Sequence, residues 1–289
     1  MTSTIKNLPK SEIELTITIL SSDFKKTVES VMTAVVNNAE IQGFRKGKAP
    51  RNLVEKNIDR SKVYQEALQQ ILPKAYYDAI KEHNINPIVD PRIELVSPEK
   101  LTEIDEDKNL VIKARTAVKP EVKLKNYKDE IKKLKAKSSI WVPGKNQPDK
   151  KEEEKEGPRL EEIINVILEN TEVELPNLLI EYEANKLLSQ TLDEIKKLGL
   201  TLDQYLASTK KTTELLRSDA EEKARRDLKL EFVLDAIAKE EKIIVSEEEI
   251  EKVINENKDP KAKESLKSQS YLIATILLQQ KTLDFVKNL

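Results

Sequence analysis

Residues 144–157 read GKNQPDKKEEEKEG and carry no aliphatic or aromatic side chain. Such a stretch has nothing to bury, so it cannot pass through a core and is expected as a solvated linker. The chain must then fold as two pieces, one on either side. Both pieces are sparing with apolar residues. Of 289 residues 38% are hydrophobic, 4% aromatic and 35% charged, against roughly 25% charged in an ordinary soluble domain. Long helices over modest cores are therefore expected, in an elongated molecule.

The first piece, residues 1–120, reads as α+β. Ser11 to Ile19 alternates, with Ile13, Leu15, Ile17 and Ile19 on one side and Glu12, Glu14, Thr16 and Thr18 on the other, which predicts a strand with one wet face. Ser22 can cap a helix that runs through Phe24, Val28, Val31 and Val35 and ends near Glu40. A short helix is expected from Arg51 to Asn57. A long amphipathic one follows, carrying Tyr64, Ala67, Leu68, Ile71, Ala75 and Ala79, with Pro73 placed to kink or split it. Arg92–Val96 and Asn109–Val118 complete the expectation of three strands under helices on one face.

The segment 121–159 joins a basic stretch to the charged linker. Glu121 to Lys137 holds 7 lysines against 3 acids. From 160 to 289 every strong signal is helical. Pro176 opens one helix and Gly199 closes it, Thr201 and Ser246 begin capping boxes, and apolar stripes run through Leu215–Ala238 and Leu272–Val286. This piece is expected to be all-α.

Chemistry is hard to assemble from these residues. With no Cys and a single His, thiolate nucleophiles and the common zinc constellations are excluded, and no metal or cofactor is expected. His83 ends a helix and reads as a solvated residue there. No phosphate-cradling glycine loop or nucleophile elbow occurs, and no catalytic residue is expected. The 50 basic and 52 acidic residues nearly cancel, so contact with a polyanion must be local. Met1 to Ser11 lacks an apolar signal core, and Tyr271–Leu278 is too short to cross a bilayer. A cytoplasmic protein with no membrane partner is expected.

One segment stands apart. From Gly43 to Arg51 the chain carries Arg45, Lys46, Lys48 and Arg51 and no acid. Gly43 and Gly47 bracket Phe44-Arg45-Lys46 and permit a positive φ at each end, so the three side chains can project from a tight tip. Pro50 suits the first turn of the helix that follows. An aromatic beside two cations can anchor on an acidic or phosphate-rich surface. A plain basic turn with Phe44 tucked into the core fits the spacing equally well.

The octet Gly43-Phe44-Arg45-Lys46-Gly47-Lys48-Ala49-Pro50 resembles the signature loop of the trigger factor family, pattern G-F-R-x-G-x-x-P, at every fixed position. Ile85–Pro91, Val118–Val122, Val173–Glu181, Leu198–Leu200 and Ile243–Ser246 are similar to further segments of that family. The resemblance implies an α+β ribosome-binding domain followed by an elongated helical chaperone domain. It implies that Phe44, Arg45 and Lys46 contact the large ribosomal subunit near the tunnel exit, protein and adjacent rRNA, while Gly43, Gly47 and Pro50 shape the loop. It further implies a helical cradle for nascent or unfolded polypeptides and a part in protein export. A weak homodimer formed through the exposed cradle is a separate expectation. Most members insert a prolyl isomerase domain where this chain has only Ser138–Arg159, 22 residues that are too few to fold alone. That enzyme activity is therefore expected to be absent. The competing reading is an RNA-binding adaptor that uses Arg45, Lys46, Lys48 and the lysines of 123–137.

Overall fold

The computed structural model describes residues 2–138, 158–256 and 260–289. The linker expected at 144–157 and Trp141 lie outside these. The chain divides into two compact units, residues 1–119 with 176–179, and residues 120–175 with 180–289.

In the first unit β1 (Thr2–Asn7), β2 (Glu12–Ile19), β3 (Arg92–Ser97) and β4 (Leu110–Ala117) form one antiparallel sheet in the order β1-β2-β4-β3. The period-two pattern of β2 does what it predicts. Leu15, Ile17 and Ile19 are fully buried, and Leu110, Ile112 and Ala114 of β4 share their face. Over this face lie α1 (Ser21–Asn38) and α3 (Arg60–Glu82), which contribute Phe24, Val28, Val31, Ala67, Ile71 and Ala75 to a single core. On the outer face Glu14 is nearly covered and is held by Arg115 at 3.1 Å and Lys113 at 3.5 Å. Burial alone would raise its carboxyl pKa. The hydrogen bond from Arg115 and the charge of Lys113 outweigh that and hold it below the ordinary value.

Three expectations for this unit change. The sheet has four strands rather than three, because β1 pairs along its whole length with β2. Its residues are almost all exposed, so it has no apolar alternation to read. Helix α1 starts at Ser21 behind Leu20, which makes no side-chain cap, so Ser22 is not its N-cap. Helix α3 passes unbroken through Pro73. Pro73 and Gln69 are both exposed, so the proline sits on the solvent side of the helix, where water can serve the carbonyl that loses its i+4 donor.

The second unit is helical but not all-α. Helices α4 (Tyr127–Ser138), α5 (Leu160–Glu169), α6 (Asn177–Lys197), α7 (Leu202–Thr209), α8 (Thr213–Glu240), α9 (Glu247–Glu256), α10 (Pro260–Ser268) and α11 (Ser270–Asn288) are joined by a two-stranded ladder of β5 (Val122–Leu124) and β6 (Thr171–Val173). The capping box at Thr201 is present, and Ser246 and Glu249 exchange the same pair of bonds. The basic segment Glu121–Lys137 supplies β5 and most of α4 to this unit. Tyr127 and Ile131 of α4 are buried with Ile163, Ile167, Val233, Ile237 and Val286. Its lysines hid two apolar residues four apart, which is one helical face.

Candidate functional site

Residues 39–50 join α1 to α2 (Arg51–Asn57) through two successive tight turns. In the first, the N–H of Phe44 donates to the Ile41 carbonyl at 3.0 Å, with Gly43 at φ +89° in the third position. In the second, the N–H of Lys48 donates to the Arg45 carbonyl at 2.9 Å, with Gly47 at φ +70° in the same place. A left-handed third residue is the mark of a type II turn. The two glycines are not equivalent. A Cβ on Gly43 would meet nothing within 4 Å, whereas one on Gly47 would lie 2.3 Å from the Asn37 carbonyl oxygen. The N–H of Gly47 also donates to the Ala39 carbonyl at 3.0 Å, which closes the loop at its base.

Two further contacts set the loop on the body. Ala49 and Val54 are buried beneath it. Arg51 donates to both oxygens of Glu29 on α1, the Nη2 bond being 2.7 Å, and its Nε donates to Glu55. The hydrogen bonds from Arg51 hold the Glu29 carboxyl below its ordinary pKa, and the same bonds raise the guanidinium still further. Arg51 therefore closes the loop rather than presenting a free cation. Only Glu55, four residues on, could have been read from local spacing. Pro50 stands one position earlier than expected, as the residue before the first helical turn, and its carbonyl accepts from Leu53 and Val54.

The tip is exposed. Phe44 keeps 44% of its surface accessible, so it is not tucked into the core, and Arg45, Lys46 and Lys48 lie beside it in solvent. Lys46 reaches Glu40 at 3.4 Å in an open pair. The arrangement offers an apolar ring and a fan of cations on a braced backbone, and it holds no general base or nucleophile.

The other basic stretch is built differently. Lys125 pairs with Glu172, Lys128 with Glu241 and Lys133 with Glu130, and Lys135 donates to the Lys287 carbonyl. His83 is half-buried at the end of α3, with Nε2 2.9 Å from Ser3 Oγ, rather than simply solvated. Among the described residues no group of three or more His, Cys, Asp or Glu could hold a metal ion. Among them, too, no helix is long and apolar enough to cross a membrane.

Comparison with known proteins places these features in context. Residues 1–140 match the family described as bacterial trigger factor protein, and residues 143–288 match its C-terminal counterpart. The trigger factor of Carboxydothermus hydrogenoformans is 24% identical over 426 positions, covering 99% of this chain and 98% of the relative. The alignment is longer than this chain's 289 residues, so a large part of that relative faces gaps here. The trigger factors of Moorella thermoacetica and Bacillus cytotoxicus are 35% and 42% identical, but these matches span only 27% and 25% of those relatives and 44% and 39% of this chain. A solved structure from work on promiscuous substrate recognition in folding and assembly activities of the trigger factor chaperone has the same fold. It superposes with a TM-score of 0.63 at 15% identity, covering 99% of each chain.

Proposed function

The chain belongs to the trigger factor family, and from that premise we propose that it is a ribosome-associated chaperone which meets nascent polypeptides at the tunnel exit and delays their premature folding or aggregation. The carrying observation is the Phe44-Arg45-Lys46 tip, exposed on a loop whose backbone is held by two type II turns and the Arg51 clamp. Rigid presentation reduces the entropy lost on docking, so a small contact can hold the protein at the exit and still release it. Phe44 is the apolar anchor, and Arg45 and Lys46 face acidic side chains or rRNA phosphate.

Client capture falls to the second unit. Leu198, Ile244, Tyr271, Leu272 and Ile276 are large apolar residues left exposed on it, Tyr271 at 84%. Each can take apolar surface out of water at about 25 cal/mol per Å2, too little singly for tight binding and enough together for transient shelter. The protein works without an isomerase. The two family matches leave only residues 141 and 142 between them, which supports a direct connection where other members carry an extra domain. The paired lysines Lys125, Lys128 and Lys133 give no support to an RNA-binding adaptor. The test is co-sedimentation with ribosomes in the cytoplasmic fraction. Phe44→Ala/Arg45→Ala/Lys46→Ala should lose binding while keeping its fold, and undiminished binding would remove the docking assignment.

A further inference from the structure

Beside the base of the loop, between α1, α2 and α3, lies an open groove of about 440 Å3. Its wall is apolar, with Val35, Ile41, Val54 and Ile58, and two exposed carboxylates, Glu40 and Glu66, stand at its lining. The volume falls in the range of about 300–1,000 Å3 common for ligand pockets. The Arg51 clamp does not use this groove, and the turns share only Ile41 and Ala39 with it, through their backbone carbonyls.

Its charge is opposite to that of the tip. Arg45, Lys46 and Lys48 are cationic, whereas the groove offers carboxylates around an apolar wall. A polyanion drawn to the tip would be repelled here, so rRNA alone cannot satisfy both parts. A basic protein set among rRNA can do so. The Lys46–Glu40 pair joins the two parts, and both side chains are more than half exposed, at 59% and 74%. An ion pair so open is held weakly and can exchange partners. On docking, Lys46 can turn to an acid or phosphate while Glu40 receives a cation.

We propose that this groove is a second docking surface, continuous with the loop, and that its occupant is a segment of a ribosomal protein presenting an apolar side chain next to a lysine or arginine. The inference rests on the reading of the loop as the ribosome contact. It deepens that reading by naming the chemistry of the protein partner at a place the signature loop does not reach.

Two exposed positions test it without touching the core. Ala34→Arg, on the α1 side of the groove, fills the groove with a long cation. Glu66→Lys, on α3, reverses one of its charges. Both full-length variants, with the melting profile checked against the wild type, would be titrated onto purified large ribosomal subunits beside the triple loop variant. The expected result is about tenfold weaker binding for Ala34→Arg and a several-fold loss for Glu66→Lys, because a basic peptide loses its counter-charge. Tighter binding by Glu66→Lys would identify rRNA as the facing group and overturn the inference, and so would unchanged binding by either variant. Loss in the loop variant with normal binding by both groove variants removes the groove and leaves the loop reading standing. Normal binding by the loop variant removes the loop reading, and the proposed continuity of the groove with the loop falls with it, whatever the groove variants do.

Discussion

The loop at 43–51 and helix α4 are both rich in cations, and the fold treats them in opposite ways. In the loop, Phe44, Arg45, Lys46 and Lys48 stand in solvent on a backbone fixed by turns. In α4 the lysines surround Tyr127 and Ile131, which are buried, and several of them close ion pairs or donate to a carbonyl. Burial, the Glu241 and Glu240 charges and the bond to Glu241 all push the Tyr127 hydroxyl well above its ordinary pKa, as expected of a ring placed for packing. A count of basic residues thus says little about who meets a partner. What decides is whether the apolar neighbours of the cations face a core.

The sharpest break between the two regions is a truncation in each. Ile131→Ala opens a cavity in a closed cluster and should cost the second unit roughly 2–5 kcal/mol in urea unfolding. Phe44→Ala should leave stability within about 0.5 kcal/mol of wild type and weaken ribosome binding. Equal destabilisation by the two would erase the distinction.

A smaller effect separates the two glycines of the loop. Gly43→Ala forces a left-handed alanine into open space and should cost roughly 1–2 kcal/mol. Gly47→Ala adds a collision with the Asn37 carbonyl, so it should cost more in unfolding experiments and also displace the tip, lowering ribosome binding. If Gly43→Ala proved the more damaging, the base of the loop would not be what holds it.

Neutralising charge should reverse the order of the first test. Lys133→Gln removes an exposed pair of α4 and Lys128→Gln a half-buried one; both should leave ribosome binding as it was, the first with little change in melting and the second with a modest loss. Arg45→Gln and Lys46→Gln should lower binding, most clearly at low salt. Loss of binding from the α4 changes would revive the RNA-adaptor reading.

The smallest effect is one of pH. The Glu29 carboxyl is depressed in the folded protein by its bonds from Arg51, so its contribution is complete above the unfolded carboxylate range and fades as pH falls through the lower folded value. Between about pH 6 and pH 3 the wild type should lose stability more steeply than Glu29→Gln, as followed by thermal melts. Parallel profiles would mean that the clamp adds nothing in solution.

Much of this was legible along the chain. The alternation of β2, the Gly43 and Gly47 spacing and the apolar stripes of α3 and α8 are local patterns, and the backbone follows them. Strand β1 was not legible, since an edge strand with one partner needs no apolar face. Helix α4 was legible only as a basic stretch, because its lysines outnumber the buried Tyr127 and Ile131. In the site, the tip residues could be named in advance. The Glu29 side of the clamp and the groove beside it could not.

By itself the sequence determined the local geometry, because a turn that needs a left-handed residue or a strand with one apolar face is written in residues a few positions apart. Only the tertiary structure decided which charges are available. Glu29 and Arg51 are neighbours across a loop, and Val122 faces Val173 from far along the chain. Such pairings depend on how the elements pack, and packing sets the difference between a cation that waits for a partner and one that already has it.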